Sequence, residues 1–352
     1  MVIVIAPAPC AAQDAAELAR AGTAAIEKYR FGDALRAFTR AESLRPADAT
    51  LPFGAGVAAF MLGQDDVARA RFEAALTLNP GFLPAATWLA DLHYRTGRLT
   101  DAIAMLEAAR ARVPLTSDLQ QQLDEWRREQ ALQSRFHEAR SPHFTALFEA
   151  PGDERLAHEV LERLEAAYLR VGKSLGVYPS SAITVVFYTR QQFADITRLA
   201  PWSVAAYDGR IRVPLAGSVQ EPDELDRLLS HELVHAIVAG LGGRTVPAWV
   251  NEGLATALEP AGTAPVEAAL LAAQARPALS ALHRGFGGLP SRDAEIAYAS
   301  AARAVRRLIE RRGAPALVAL LGDLSRGETF DRAFRQRIDM RYEDFAALVA
   351  RE

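Results

Sequence analysis

The chain has 352 residues, 50% of them hydrophobic and 24% charged, with a formal net charge of −3. That suits a folded protein with core enough for two domains, and the slight acidic excess gives no electrostatic case for binding nucleic acid or an anionic membrane surface. The one cysteine, Cys10, excludes an intramolecular disulfide and a cysteine-built metal site, and no apolar run approaches the roughly 18–20 residues that span a bilayer.

Residues 1–12 put a short apolar stretch ahead of small residues, without a basic start. They read as the remnant of a signal peptide, which would deliver the chain to the periplasm or outside the cell. A frayed start of a cytoplasmic protein is the alternative. From residue 13 to 115 the sequence repeats. Pro46, Pro80 and Pro114 follow one another at intervals of 34, as do Ala34, Ala68 and Ala102, and Ala41, Ala75 and Ala109. Phe38, Phe72 and Leu106 keep the same step, small residues recur at Gly22, Gly56 and Ala90, and Gly32, Gly63 and Gly97 are expected in the turns. The pattern resembles three tetratricopeptide repeats, stacked helix–turn–helix units whose groove receives a peptide or a partner protein. A rigid spacer is the other use of such an array. Residues 116–140 continue as a polar capping or linker helix, with Leu119, Leu123, Trp126 and Leu132 along one face.

Residues 141–352 read as a second domain. Alternation in His143–Phe148 predicts its first strand, and apolar spacing predicts a helix from Asp153 to Leu175. Ala182–Tyr188 reads as a buried strand, Gln191–Leu199 as a short helix, and Ala205–Pro214 as a hairpin turning at Asp208-Gly209.

The segment opening at Pro222 carries the chemistry. Pro222 suits the first residue of a helix, Asp223 and Glu224 suit its first turn, and Gly240, Gly242 and Gly243 end it. Inside it lies His231-Glu232-Leu233-Val234-His235, an H-E-x-x-H sequence within an apolar run. Residues four apart share a helix face, so both imidazoles can aim at one point, as two ligands of a Zn²⁺ ion would. Glu232 borders that point and suits a general base that holds a water. A second helix follows over Thr245–Glu259. Glu252 is its candidate for the third ligand, and Glu259 or Thr256 is placed to hydrogen-bond the outer nitrogen of a ligating histidine.

The H-E-x-x-H sequence followed by Trp249-Val250-Asn251-Glu252-Gly253 resembles the gluzincin metallopeptidases, and in particular the peptidase MA-like domains that are often fused to tetratricopeptide repeats. The resemblance covers roughly residues 141–313 and implies His231, His235 and Glu252 as zinc ligands and Glu232 as the base. It also implies that the hairpin strand Tyr207–Pro214 is a sheet edge to which an extended substrate adds. The G-x-M-E-N sequence of the M1 aminopeptidases is missing from that strand, which favours an endopeptidase. Gluzincins often carry a tyrosine on a later helix that donates to the oxyanion, and Tyr298, in Tyr298-Ala299-Ser300, resembles it. A buried core tyrosine is the alternative, and His283 is a second candidate donor. His93, His137, His143 and His158 lie outside any ligand spacing.

The expected fold is α+β: an all-α repeat solenoid, then a gluzincin-like domain with a small mixed or antiparallel sheet and the metal-site helices. The expected function is zinc-dependent hydrolysis of a peptide or protein substrate, with a protein partner in the repeat groove. The alternatives are a non-catalytic repeat scaffold holding a metal and hydrolysis of a non-peptide amide or ester at the same site.

Overall fold

The computed structural model describes residues 9–149, 154–197, 206–214, 221–260, 264–273, 276–286 and 289–351. The signal-peptide reading concerns residues 1–12, of which 1–8 lie outside the described residues, as do the last two residues of the helix expected over 191–199. No described helix is long and apolar enough to cross a membrane.

The chain divides into two compact units. The first comprises Met1–Gln130 together with Gly243–Thr245 and Asp323–Thr329. Its helices are α1 (Pro9–Glu27), α2 (Phe31–Leu44), α3 (Thr50–Met61), α4 (Asp65–Leu78), α5 (Leu83–Arg95), α6 (Leu99–Arg110) and α7 (Ser117–Gln133), whose last residues pass into the second unit. The 34-residue period therefore becomes three helix pairs and a closing helix.

Packing accounts for the residues that recur. A Cβ on Gly22 would lie 2.8 Å from the Phe38 ring, and one on Gly56 would lie 2.6 Å from the Phe72 ring. The third repeat solves the same contact with Ala90 and the smaller Leu106, which share one buried cluster. The turns bring a correction. Gly32 lies inside α2, where a Cβ would meet the Gly327 carbonyl oxygen at 2.6 Å, so close packing explains it. The left-handed turn position in that repeat belongs to Tyr29 (φ 56), in register with Gly63 (φ 73) and Gly97 (φ 78). A side chain there costs roughly 1–2 kcal/mol that glycine avoids. Also within this unit, Arg244 donates to Asp65 Oδ1 at 2.6 Å while its guanidinium lies 3.9 Å from the Phe60 ring centroid.

The second unit comprises Ala131–Gly242, Val246–Gly322 and Phe330–Glu352. Its sheet is mixed and five-stranded, in the order β1-β2-β3-β5-β4. Strand β1 (His137–Arg140) runs antiparallel to β2 (Phe144–Phe148), which pairs in parallel with β3 (Ile183–Tyr188). Strand β3 pairs in parallel with β5 (Ile211–Pro214), and β4 (Ala206–Tyr207) lies antiparallel to β5. Helix α8 (Glu154–Leu175) makes the crossover from β2 to β3, burying Ala157, Val160, Leu161, Leu164 and Val171, and α9 (Arg190–Thr197) follows β3.

Two expectations change here. Residues 137–140 are a strand, not the end of the capping helix. Ser141 N donates back to Phe144 O across the Ser141-Pro142 turn, and that pairing satisfies backbone groups that a helix would have bonded internally. In the hairpin, which does turn at Asp208-Gly209 (Gly209 φ 107), Ile211 and Arg212 are already paired to β4. Of the segment Tyr207–Pro214 expected as the edge, Tyr207 lies on the outermost described strand, while Ile211 and Arg212 are covered by it.

The remaining helices are α10 (Pro222–Gly242), α11 (Ala248–Ala257), α12 (Ala264–Ala272), α13 (Ser291–Arg312), α14 (Ala314–Ser325), α15 (Phe330–Ile338) and α16 (Tyr342–Arg351). Helix α10 starts and stops where its signals predict, with Gly243 at φ 67 just beyond its end. It is tied to α8 by Arg163, which donates to Asp226 at 2.8 Å, and by Arg170, which donates to Ser230.

Candidate metal centre

Helix α10 buries Leu225, Leu228, Leu229, Leu233, Val234 and Ile237, so the polar side chains between them are carried into the interior. Helix α11 does the same for Glu252. Fully buried Trp249 anchors one side of it by stacking on Tyr342 and Phe345. Gly253 anchors the other, where a Cβ would lie 2.5 Å from the Ala301 carbonyl oxygen of α13. Only glycine lets the two helices come that close.

Between these helices His231 Nε2 and His235 Nε2 each lie 3.5 Å from Glu252 Oε2, and the three ligand atoms all fall within 4.8 Å of one another. The imidazole planes stand at 82° to each other. An ion bonded to tetrahedral ligands at about 2.0–2.1 Å sets neighbouring ligand atoms about 3.4 Å apart. The spacing therefore fits one metal ion, without rearrangement of the backbone.

The outer nitrogens support that fit. His231 Nδ1 lies 2.8 Å from Glu259 Oε1, and His235 Nδ1 lies 3.0 Å from Asn251 Oδ1. Both partners are acceptors, so each Nδ1 carries the hydrogen and each Nε2 is left to face the centre. Glu259 sits in the turn after α11 rather than on its last turn, and Arg227 in turn donates to it at 3.4 Å and to Glu224 at 2.6 Å. Thr256, the other candidate for this task, keeps its hydroxyl buried without a hydrogen-bond partner.

The buried groups shift one another's protonation. Burial works to lower the His231 pKa, but its hydrogen bonds to Glu252 and Glu259 outweigh that and carry it up to about 10. His235 is raised as well, against burial, by its hydrogen bond to Glu252. Burial pushes Glu252 the other way, yet the two histidines bring it down to about 2. Glu232 differs from all three: its carboxyl is 5% exposed, Oε2 has no hydrogen-bond partner, and burial raises its pKa above the ordinary carboxylate value.

Tyr298 lies beside the cluster, its ring centroid 6.3 Å from that of His231. Burial raises its hydroxyl pKa, and the Glu252 and Glu232 carboxylates add to that rise. The fold does not bring His283 to the same place: its ring packs edge-on against Phe330 and Tyr342, and burial lowers its pKa. Asn251 was missed in the sequence, although an amide directly before a candidate ligand carboxylate was the available signal. Nothing in the sequence pointed to Arg227.

Two imidazoles and a carboxylate, converging from two buried helices with their outer nitrogens held, define a site of the kind that holds a metal ion. Residues 165–344, just over half of the chain, match the model of the peptidase MA superfamily, and the chain belongs to that superfamily. Residues 19–81 and 66–123 match tetratricopeptide-repeat models. Among solved structures the chain is similar to the first tetratricopeptide repeat domain of Spaghetti (RPAP3) bound to the HSP90 peptide SRMEEVD, at 20% identity and a TM-score of 0.33. That match covers 34% of this chain and 98% of that one. No curated protein matches the chain.

Proposed function

We propose that the protein is a zinc-dependent peptidase, acting within peptide chains, whose repeats over residues 13–115 recruit a protein or peptide partner. The observation that carries this is the 3.5 Å approach of both histidine Nε2 atoms to one oxygen of Glu252, beside the buried Glu232, whose Oε2 has no hydrogen-bond partner. Zn²⁺ suits two imidazoles and one carboxylate, and when bound it polarises the scissile carbonyl and makes water a usable nucleophile near pH 7.

The chain's own residues supply the rest. His231, His235 and Glu252 would hold the ion, with Glu259 and Asn251 fixing the orientation of the two rings. Glu232 accepts the proton of the attacking water at Oε2 and returns it to the departing peptide nitrogen. Its raised pKa brings it nearer the pH at which a carboxylate can do both. The Tyr298 hydroxyl, kept protonated by its surroundings, donates to the carbonyl oxygen as negative charge builds there. We assign the protein to the periplasm or the cell exterior on the composition of residues 1–12.

The test is metal content of the purified chain, together with cleavage of casein and of a pooled quenched-peptide library with and without chelator. Glu232→Gln should keep the metal and lose about 10²–10⁴-fold in turnover. Absence of chelator-sensitive cleavage across both substrates, in a chain loaded with zinc, would overturn the peptidase reading and leave a metal-holding repeat scaffold.

A further inference from the structure

We propose that Phe286 is a positioning residue for Tyr298, setting the angle at which the phenol meets the substrate carbonyl. The inference rests on the peptidase reading above. Helix packing fixes only part of the tyrosine. The contact between Gly253 and Ala301, one turn along α13 from Tyr298, sets where the helix backbone runs, but the ring still turns about two side-chain bonds. On the side of the metal cluster, the neighbour is the His231 ring, 6.3 Å away at 61°.

Phe286 packs closer to the Tyr298 ring. Its ring is 5% exposed and stands 4.9 Å from Tyr298 at 77°, well inside the edge-to-face range of about 4.5–7 Å. The backbone is arranged to deliver it there. Gly285 takes φ 135, a conformation that side chains rarely adopt, and Phe286 O accepts from Leu289 N at 3.0 Å. The Tyr298 ring thus has two ring neighbours, and Phe286 is the nearer of them. Donors to a developing oxyanion work over about 2.7–3.1 Å, so a ring free to tilt would spend much of its time out of range.

A double-mutant cycle tests this on the full-length zinc-loaded chain, with pooled quenched peptides as substrate. Misplacing a reacting group by about 1 Å costs up to about 10²-fold. Phe286→Ala should therefore lower kcat about 10- to 100-fold, leave KM within about threefold and leave bound zinc unchanged. Phe286→Leu, which keeps most of the bulk, should recover part of the loss and also serves if the alanine variant does not fold. In a Tyr298→Phe background the Phe286→Ala change should cost under about threefold, because the group it steers has gone. Losses that multiply across the cycle, or zinc lost along with turnover, would assign Phe286 to general structure and overturn the proposal. A Tyr298→Phe variant as fast as wild type would overturn it too, with the peptidase reading intact. A wild type that cleaves nothing would remove both.

Discussion

Substituting Gly253 by alanine tests how the two halves of the centre are held together. The added methyl would lie 2.5 Å from Ala301 O, 2.8 Å from Ala301 C and 2.8 Å from Val305 Cγ2. Ordinary contact begins near 3.4 Å, so one helix must withdraw by about 0.9 Å. Helix α11 is bound to α10 by Asn251 with His235 and by Glu259 with His231. Helix α13 meets Gly253 of α11 at Ala301 and Val305 and carries none of those bonds, so α13 should yield. Overpacking costs about 1–3 kcal/mol, and alanine returns up to about 1 kcal/mol of helix propensity over glycine. The net loss of about 0–2 kcal/mol predicts a fall in Tm of up to about 8 °C for a unit of this size. Turnover should fall much further, by about 10²-fold, because Tyr298 travels with α13 while the three ligands stay. Thermal melting, zinc content and cleavage of the peptide pool, measured on the same preparation, separate these effects. A variant that sheds zinc while α13 holds its position, or one that cleaves as fast as wild type, would refute the reasoning.

Two further outcomes follow from the partners of the ligands. Glu259→Ala and Asn251→Ala should each weaken zinc binding about 10- to 100-fold in chelator competition. Equal affinity in both variants would mean that the outer nitrogens need no fixed acceptor. Zinc affinity should also rise with pH. The metal-free centre holds a proton on His231 up to about pH 10, so the ion must displace it throughout the neutral range. Each proton released steepens the dependence by about tenfold per pH unit, and acidification from pH 8 to 6 should weaken binding by at least about 10²-fold. Calorimetry in buffers of different ionisation enthalpy counts those protons, and a count of zero would contradict the assigned ligands.

The repeats were legible because a solenoid copies its contacts at a constant interval: Pro46, Pro80 and Pro114 announce it without any knowledge of packing. Gly32 misled because it lies 31 residues before Gly63, out of that step, and a glycine can serve a close contact or a turn without the sequence saying which. His231 and His235 were legible for a related reason, that residues four apart share one helix face wherever the helix lies. Strand β1 was not, because four residues with a single buried side chain, Ala139, carry almost no pattern.

The sequence by itself determined the helix pairs of the solenoid, the paired imidazoles of α10 and the presence of a carboxylate on the helix that follows, all of them properties of local spacing. Only the tertiary structure decided that Asn251 rather than Thr256 holds a histidine, that Gly253 lets α13 approach α11, and that Phe286 backs Tyr298 while His283 is spent on an aromatic cluster. These contacts depend on how separate helices rotate against one another. That rotation is fixed by interlocking side chains across the core, and no period along the chain records it.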